Sequence, residues 1–468
     1  MERNQFSTTE RILRIFTEVR PGEGRVALLM FANIFLVLCA YYFIKPLREG
    51  WIAISDISGL SKMEVKAYSS FAQSIFLLFV VGWYGRLSDH WDRSTLITRA
   101  TLFCISNMLI FWLLQPGFFF ESLPVSGIIF YVWVGMFGVF VVAQFWTFCA
   151  DIYTDERGKR MLPMIAIGAT SGAAAGSWIV DFIVESGLVD TTSLLVVATI
   201  PLYVSIALTR YVDRETRKID TTGAIGSAPE KKTTENPKTD PHFLLAGARL
   251  VMMSRFLMAA AMVTLLVNWV NTNGENLLFR VIQETLATEA ANLGITSSQQ
   301  VLEYTRDGTT RFYGNFYFWV NIVALFLQAF VASRLLKYGG FAAILLILPV
   351  VSLLSYTAMA LLPILAIVKM MKIAENATDY SLNNTARHVL WLPVSSEMKF
   401  HGKPAIDTLY VRLGDGLAAL TILIGVQVLS LTTTAYFVFN VLLVFLWFCF
   451  AIVLITEHRK AETANEGS

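Results

Sequence analysis

Charge is scarce in this chain, at 15% of 468 residues, against roughly a quarter in an average soluble domain. A polypeptide so poor in charge cannot clothe its surface in solvated side chains, which excludes an ordinary water-soluble globule. Cysteine is sparse too. Cys39, Cys104, Cys149 and Cys449 all fall in apolar runs, where they read as small hydrophobic side chains, and their spacing offers neither a disulfide framework nor a metal-ligand set. The first 25 residues lack an apolar core followed by a small-residue cleavage site, so a cleaved signal peptide is not expected; an amphipathic cytoplasmic helix fits better. Also missing is the period-two alternation over about ten positions that marks a membrane β-strand. The few His and carboxylates inside apolar runs form no nucleophile–base or metal spacing. No enzyme, cofactor or metal site is therefore expected.

What the chain has is apolar mass, 55% of its residues, gathered in runs that can cross a hydrocarbon core of about 30 Å at about 1.5 Å per residue. Lipid offers no partner to a backbone N–H or C=O, so these runs must be helices. The expected fold is an all-α membrane protein of about twelve transmembrane helices, arranged as two six-helix bundles of the major-facilitator type. The first six spans fall near 26–44, 65–84, 97–114, 125–150, 161–184 and 193–208. The second six fall near 245–270, 312–336, 341–360, 361–378, 409–429 and 436–455. This divides the chain into a cytoplasmic segment 1–25, a bundle 26–212, a cytoplasmic linker 213–243, a second bundle 244–456 with an external loop 271–311 that can hold a short helix around 276–292, and a tail 457–468. The linker is rich in Lys, Thr, Glu and Pro and too polar to fold alone.

Charge distribution orients the chain. Cytoplasmic segments hold roughly 25 Lys and Arg against roughly six on the opposite side, where 115–124, 185–192 and 431–434 carry none, which places both termini in the cytoplasm by the positive-inside rule. A bacterial inner membrane is the expected location, with the lipid bilayer as surroundings and a monomer as the expected state. Two related halves are suggested by GKRMLPMIAIGATSGAAAG, beginning at Gly158, and GKPAIDTLYVRLGDGLAAL, beginning at Gly402. They match at Gly158/Gly402, Lys159/Lys403 and Gly172/Gly416, in the fifth span of each half, as a parallel duplication requires.

Ionisable side chains within spans are expensive, at least about 2.5–3.5 kcal/mol each by insertion scales, and so face a partner or a wet interior. Lys45 and Arg48 lie three apart at the end of the first span and share a helix face. They suit an anion such as phosphate or carboxylate; alternatively Glu49 neutralises one of them in a structural pair. Lys369, Lys372 and Glu375 form a stripe on the tenth span, readable as a cavity lining or as an internal ion pair. Arg412 and Asp415 repeat that spacing on the eleventh. Asn268, with Asn271 and Asn273, ends the seventh span and either reads polar substrate groups or caps the helix. Gln73, Asn107, Gln144, Asn315, Asn321 and Gln328 are expected mostly to bond between helices.

Two sets of motifs point further. Gly85-Arg-Leu-Ser-Asp89-His-Trp-Asp-Arg93 resembles the loop motif of the major facilitator superfamily, with Asp92 where Gly is usual; Asp89 and Arg93 would then form a latch. Tyr41-Tyr-Phe-Ile-Lys45-Pro46-Leu-Arg48-Glu49, Phe130-Tyr-Val-Trp-Val, Gln144-Phe-Trp-Thr-Phe-Cys-Ala-Asp151 and Glu156-Arg-Gly158-Lys159-Arg160 are joined by Asp379-Tyr380-Ser381-Leu382 and Arg387-His-Val-Leu-Trp391-Leu-Pro393. Together these resemble the nucleotide (ATP/ADP) transporter family of intracellular bacteria and plastids, and its broader bacterial branch, from about residue 31 to about residue 425. The resemblance implies transport by exchange, with a basic residue at Arg48. Gly135 and Asn268 stand where the exchangers carry carboxylates, and Asp415 where they carry Lys.

The reading that follows is a secondary transporter of an anionic small molecule, a nucleotide or similar phosphorylated solute, working by alternating access and binding no nucleic acid. Lys45, Arg48, Lys369, Lys372, Asn268 and Arg412 are the candidate substrate contacts. Glu49, Asp89, Arg93, Asp151, Glu375 and Asp415 are the candidate coupling or gating groups. The rival readings are a proton-coupled exporter of a drug-like or siderophore-like compound, and a transporter-like sensor or assembly factor without flux.

Overall fold

The computed structural model describes residues 23–88, 93–115, 124–221 and 241–466. Among them there is no strand. The first group of helices is α1 (Gly24–Ile54), α2 (Lys62–Ser88), α3 (Arg93–Leu113), α4 (Pro124–Ile152), α5 (Asp155–Ser186) and α6 (Thr199–Thr221). The short helical turns Thr191–Ser193 and Leu194–Val197 lead into α6. The second group is α7 (Pro241–Met253), α8 (Arg255–Asn292), α9 (Ser298–Phe326), α10 (Ser333–Leu361), α11 (Leu365–Thr378), α12 (Val411–Gln427) and α13 (Thr433–Glu466). Nine stretches among the described residues are long and apolar enough to span a membrane, and one of them, Ser298–Leu361, has 64 residues. About 20 residues suffice for one crossing, so that stretch holds two. It is broken by a π-helical turn at Leu327–Ala332 and a kink at Gly340, where φ is 65°, a value that glycine adopts without the steric cost of a Cβ. The chain is an integral membrane protein of the two-bundle, major-facilitator type.

Several boundaries differ from the sequence reading. Helix α6 runs through Asp213 to Thr221, so the linker expected at 213–243 is helical at its start, and an Arg217–Asp213 pair at 3.0 Å braces that extension. Residues 222–240 lie outside the described residues. The span expected at 245–270 is two helices, parted at Ser254, whose hydroxyl accepts from the Leu257 N–H and caps α8. Most of the loop expected at 271–311 is helix: α8 continues to Asn292, and α9 begins at Ser298. The short helix expected around 276–292 is thus the amphipathic continuation of α8 and not a separate element. It buries Leu277, Leu278, Phe279 and Ile282 while Glu284 and Thr288 stay outside. Cys449 is exposed on α13, whereas the other three cysteines are buried as expected.

The chain divides into two compact units. The first gathers the described parts of Met1–Gly50, Trp83–Asn236 and Thr310–Asn321; the second gathers Trp51–Gly82, Pro237–Thr309 and Ile322–Ser468. In the first, α5 lies against α1 at close range. A Cβ on Gly172 would sit 2.2 Å from the Phe35 carbonyl oxygen, and one on Gly176 would sit 2.5 Å from that of Cys39. In the second, α12 meets α8 in the same manner, with a Cβ on Gly414 falling 2.7 Å from the Leu265 carbonyl oxygen. Small residues permit this backbone approach where lipid removes the hydrophobic drive between helices. A buried amide adds a polar tie in the first unit: Asn33 on α1 donates to Thr209 on α6 and accepts from Ser205, at 2.8 and 2.5 Å.

Candidate functional site

In the first unit the site grows from α1. Pro46 lies inside this helix without ending it. Lys45 and Arg48 therefore emerge less than one turn apart, as their spacing required. Lys45 places its ammonium among three tyrosines, with Nζ 3.9 Å from the ring centroid of Tyr317 on α9, 4.9 Å from Tyr42 and 5.9 Å from Tyr41. Tyr42 and Tyr317 meet edge to face at 5.8 Å. Tyr41 is seated on α4 by Gly138, where a Cβ would fall 2.4 Å from the tyrosine ring. Arg48 lies over Tyr131 of α4, at 4.3 Å, and its Nε and Nη2 donate to Glu49 Oε1 at 3.1 and 2.5 Å. Both members of that pair are buried. The rings fix these cations through their π faces, an attraction of about 2 kcal/mol or more when desolvated.

Elsewhere in this unit, Arg311 on α9 pairs with Glu185 at 2.5 Å and Asp181 at 3.7 Å on α5, and Asn315 donates to Asp181 at 2.7 Å. Asp151 is exposed near the end of α4. Gly135 is buried on the same helix. Asp89 lies outside the described residues, and of Arg93 only its backbone position at the start of α3 is described.

In the second unit the polar centre is Lys372, whose side chain is 0% exposed. Its ammonium donates to Glu375 at 2.7 Å and to Asn271 at 3.2 Å, and lies 3.5 Å from Glu275 on α8. Glu375 also accepts from Tyr356 at 3.0 Å and Ser352 at 3.3 Å, both on α10. Asn376 donates to Glu275 at 2.8 Å. Asn440 of α13 bonds Asn273 and the Val270 carbonyl. Gly274 makes room for this cluster, since a Cβ there would overlap the Tyr356 hydroxyl. Lys372, expected among the substrate contacts, is thus enclosed in a network of carboxylates and amides, and Glu375 is its partner. Lys369 is half-buried one turn earlier on α11.

Arg412 and Asp415 pair at 3.1 Å on α12, and Asp415 accepts from Ser74 on α2 and Thr272 on α8. Arg412 donates to Ser74 as well, at 2.8 Å. Asn268 turns back on its own helix and donates to the Thr264 carbonyl at 2.7 Å. Asn107 likewise donates to the carbonyl four residues earlier, against the expectation of an interhelical bond, whereas Asn321 does so and also hydrogen-bonds the side chain of Tyr42 on α1. Asn315 does bond between helices. Gln144 is buried, and neither of its amide atoms has a hydrogen-bond partner.

Sequence reasoning did not find Tyr131, Tyr317, Tyr356, Asn376 or Asn440. The pair Tyr41–Tyr42 before Lys45 carried a usable signal, because positions three and four apart share a helix face. Nothing local marks Tyr317, which is far away along the chain.

The fold has wide company among solved transporters. The nucleoside transporter NupG superposes with a TM-score of 0.57 at 13% identity, over 92% of this chain and 98% of that one. A POT family transporter in complex with 5-aminolevulinic acid gives 0.59 at 13% identity, over 93% and 96%. A bacterial homologue of the lysosomal transporter Spinster gives 0.55 at 14%, over 95% and 99%. Sequence relatives are more specific. An ADP,ATP carrier protein of Chlamydia pneumoniae is 28% identical over 144 residues, which is 26% of this chain and 28% of the carrier's length. One from Chlamydia trachomatis serovar D is 26% identical over 123 residues, 22% of this chain and 23% of the carrier. The stretch that matches these carriers thus spans little more than a quarter of their length. The family model of the TLC ATP/ADP transporters, by contrast, matches residues 124–458. These relatives and neighbours are transporters and not enzymes, and the match covers well over half of the sequence: the chain belongs to the TLC ATP/ADP transporter family.

Proposed function

We propose that the protein is a secondary transporter that carries a nucleotide or nucleotide-like phosphorylated solute by alternating access, with Lys45 and Arg48 of α1 as its anion contacts. The observation that carries this reading is the setting of those two cations, three residues apart on one helix and each against tyrosine rings. A tyrosine face holds an ammonium or guanidinium in place without adding a formal negative charge. Arg48 also keeps its planar fork, which matches phosphate oxygens two at a time. The relatives are ADP,ATP carriers by name, which supports a nucleotide over other anions. Arg48 shares its charge with Glu49, so substrate phosphate would compete with Glu49 for the guanidinium, and binding and release can trade one partner for the other. Lys372 is left out of this set, because its ammonium is already enclosed.

The test is thermal unfolding of the purified protein with ATP, ADP and nucleosides, followed by counterflow of labelled ADP in proteoliposomes. A ligand that binds only the folded state stabilises it by about 2.7 kcal/mol at a hundred times its dissociation constant. ADP or ATP should raise the unfolding temperature, the nucleosides should not, and Arg48→Ala should abolish the shift. Absence of any shift and of any counterflow with nucleotides would overturn the reading.

A further inference from the structure

Tyr42, one of the rings around Lys45, is tethered from another helix: it shares a hydrogen bond with the side chain of Asn321 on α9. Asn321 is 5% exposed, and its Nδ2 donates to the Tyr317 carbonyl at 2.7 Å. A carboxamide has two N–H donors and an acceptor oxygen, so one Asn can serve both partners. The identity of those partners matters. Tyr317 supplies the ring nearest the Lys45 ammonium, at 3.9 Å, and Tyr42 the next, at 4.9 Å. Asn321 therefore joins the main chain that carries one wall of the Lys45 cage to the side chain that forms another.

A lysine needs such walls. Its stem is flexible, and an ammonium already held in place spares an arriving anion the cost of ordering it. Each ring must be fixed in turn. Tyr41 is backed by Gly138 on α4. Tyr317 packs on Tyr313 and Phe316 of its own helix, at 5.6 and 5.4 Å between ring centroids. Tyr42 meets Tyr41 and Tyr317 edge to face, at 5.3 and 5.8 Å, and the Asn321 bond fixes its hydroxyl end. Lys45 itself is half-buried, so the rings grip the ammonium without enclosing the whole side chain. The part of α9 concerned, Thr310–Asn321, belongs to the first unit, and other ties seat it there. Asn315 donates to Asp181 at 2.7 Å, Arg311 pairs with Glu185 at 2.5 Å, and Gly314 lies close to the α5 backbone. Removing the Asn321 amide leaves these anchors in place, and its effect is confined to the Lys45 cage.

We infer that Asn321 is a positioning residue of the anion site: by holding Tyr42 to α9 it presets the Lys45 ammonium where a substrate phosphate meets it. The site that α1 begins is completed by a helix from the other half of the sequence. The inference rests on the transport reading above and adds to it the residue that readies Lys45.

Counterflow of labelled ADP in proteoliposomes separates positioning from plain packing. Asn321→Ala and Tyr42→Phe should each raise the KM for ADP several-fold and leave the maximal rate within about two-fold, as loss of binding alone requires. Lys45→Gln removes the group through which the pair acts, and in that background Asn321→Ala should add nothing further to KM. An amide that only packs helices would raise KM by the same factor with or without Lys45, and that result overturns the inference. An unchanged KM in both single variants overturns it too. Where Asn321→Ala fails to reconstitute, Tyr42→Phe, which deletes a hydroxyl and keeps the ring, carries the same comparison with the same two outcomes. A wild-type KM in Lys45→Gln overturns the inference and leaves transport standing. Failure of the transport reading looks different: the wild type moves no ADP. Thermal unfolding with inorganic pyrophosphate then decides. A wild-type shift that Tyr42→Phe reduces, and reduces no further in Lys45→Gln, supports the inference; any other pattern, no shift included, overturns it.

Discussion

The two units hold their cations differently. In the first, half-buried Lys45 rests against the faces of Tyr41, Tyr42 and Tyr317, and buried Arg48 lies over Tyr131 while pairing with Glu49. In the second, Lys372 is matched by carboxylates and amides from α8 and α11. A π face holds position through a quadrupole and yields to a stronger anion, whereas a carboxylate in low dielectric fixes both charges until one partner is removed or neutralised. The first arrangement suits a ligand that comes and goes. The second suits a structural joint that holds until one of its charged partners is removed or neutralised.

Truncating each cation is the sharpest way to break this comparison. Lys372→Ala strands Glu375 in a fully enclosed site and should cost about 3–5 kcal/mol, read as a large fall in thermal stability in detergent. Lys45→Ala removes the contacts to three tyrosine rings and should cost about 1–2 kcal/mol. Equal losses, or a larger one at Lys45, would dissolve the distinction. A finer probe is Tyr317: Leu in its place should lower stability by about 1 kcal/mol and weaken nucleotide binding, while Phe, which keeps the face, should change little. The smallest effect belongs to Arg311→Ala. That side chain is 49% exposed where it pairs with Glu185, and a water-screened pair contributes about 0–1 kcal/mol. A loss as large as that of Lys372→Ala would mean that exposure is a poor guide to the strength of charge pairs in this protein.

Sequence reading went furthest where a single helix carries the information. The Lys45–Arg48 face, the Lys372–Glu375 spacing and the Arg412–Asp415 pair all follow from a three-residue period, and both of the latter are ion pairs in the structure. It faltered where the choice of partner is made by another helix. Asn107 was expected to bond between helices, yet it found its partner four residues back. Within 271–311 a short helix around 276–292 was legible, but its continuity with α8 and the early start of α9 were not, because hydropathy registers lipid-facing length and not amphipathic packing.

Composition and apolar run length were enough by themselves to determine a helical membrane protein, since lipid leaves a backbone no other way to satisfy its hydrogen bonds. The motifs along it were enough to suggest the family. Only the tertiary structure decided which cations are caged by rings and which are matched by carboxylates. Tyr317 stands 272 positions along the chain from the Lys45 it covers, and Glu275 is 97 from the Lys372 it approaches. Contacts of such separation follow from how helices pack, not from any period in the sequence.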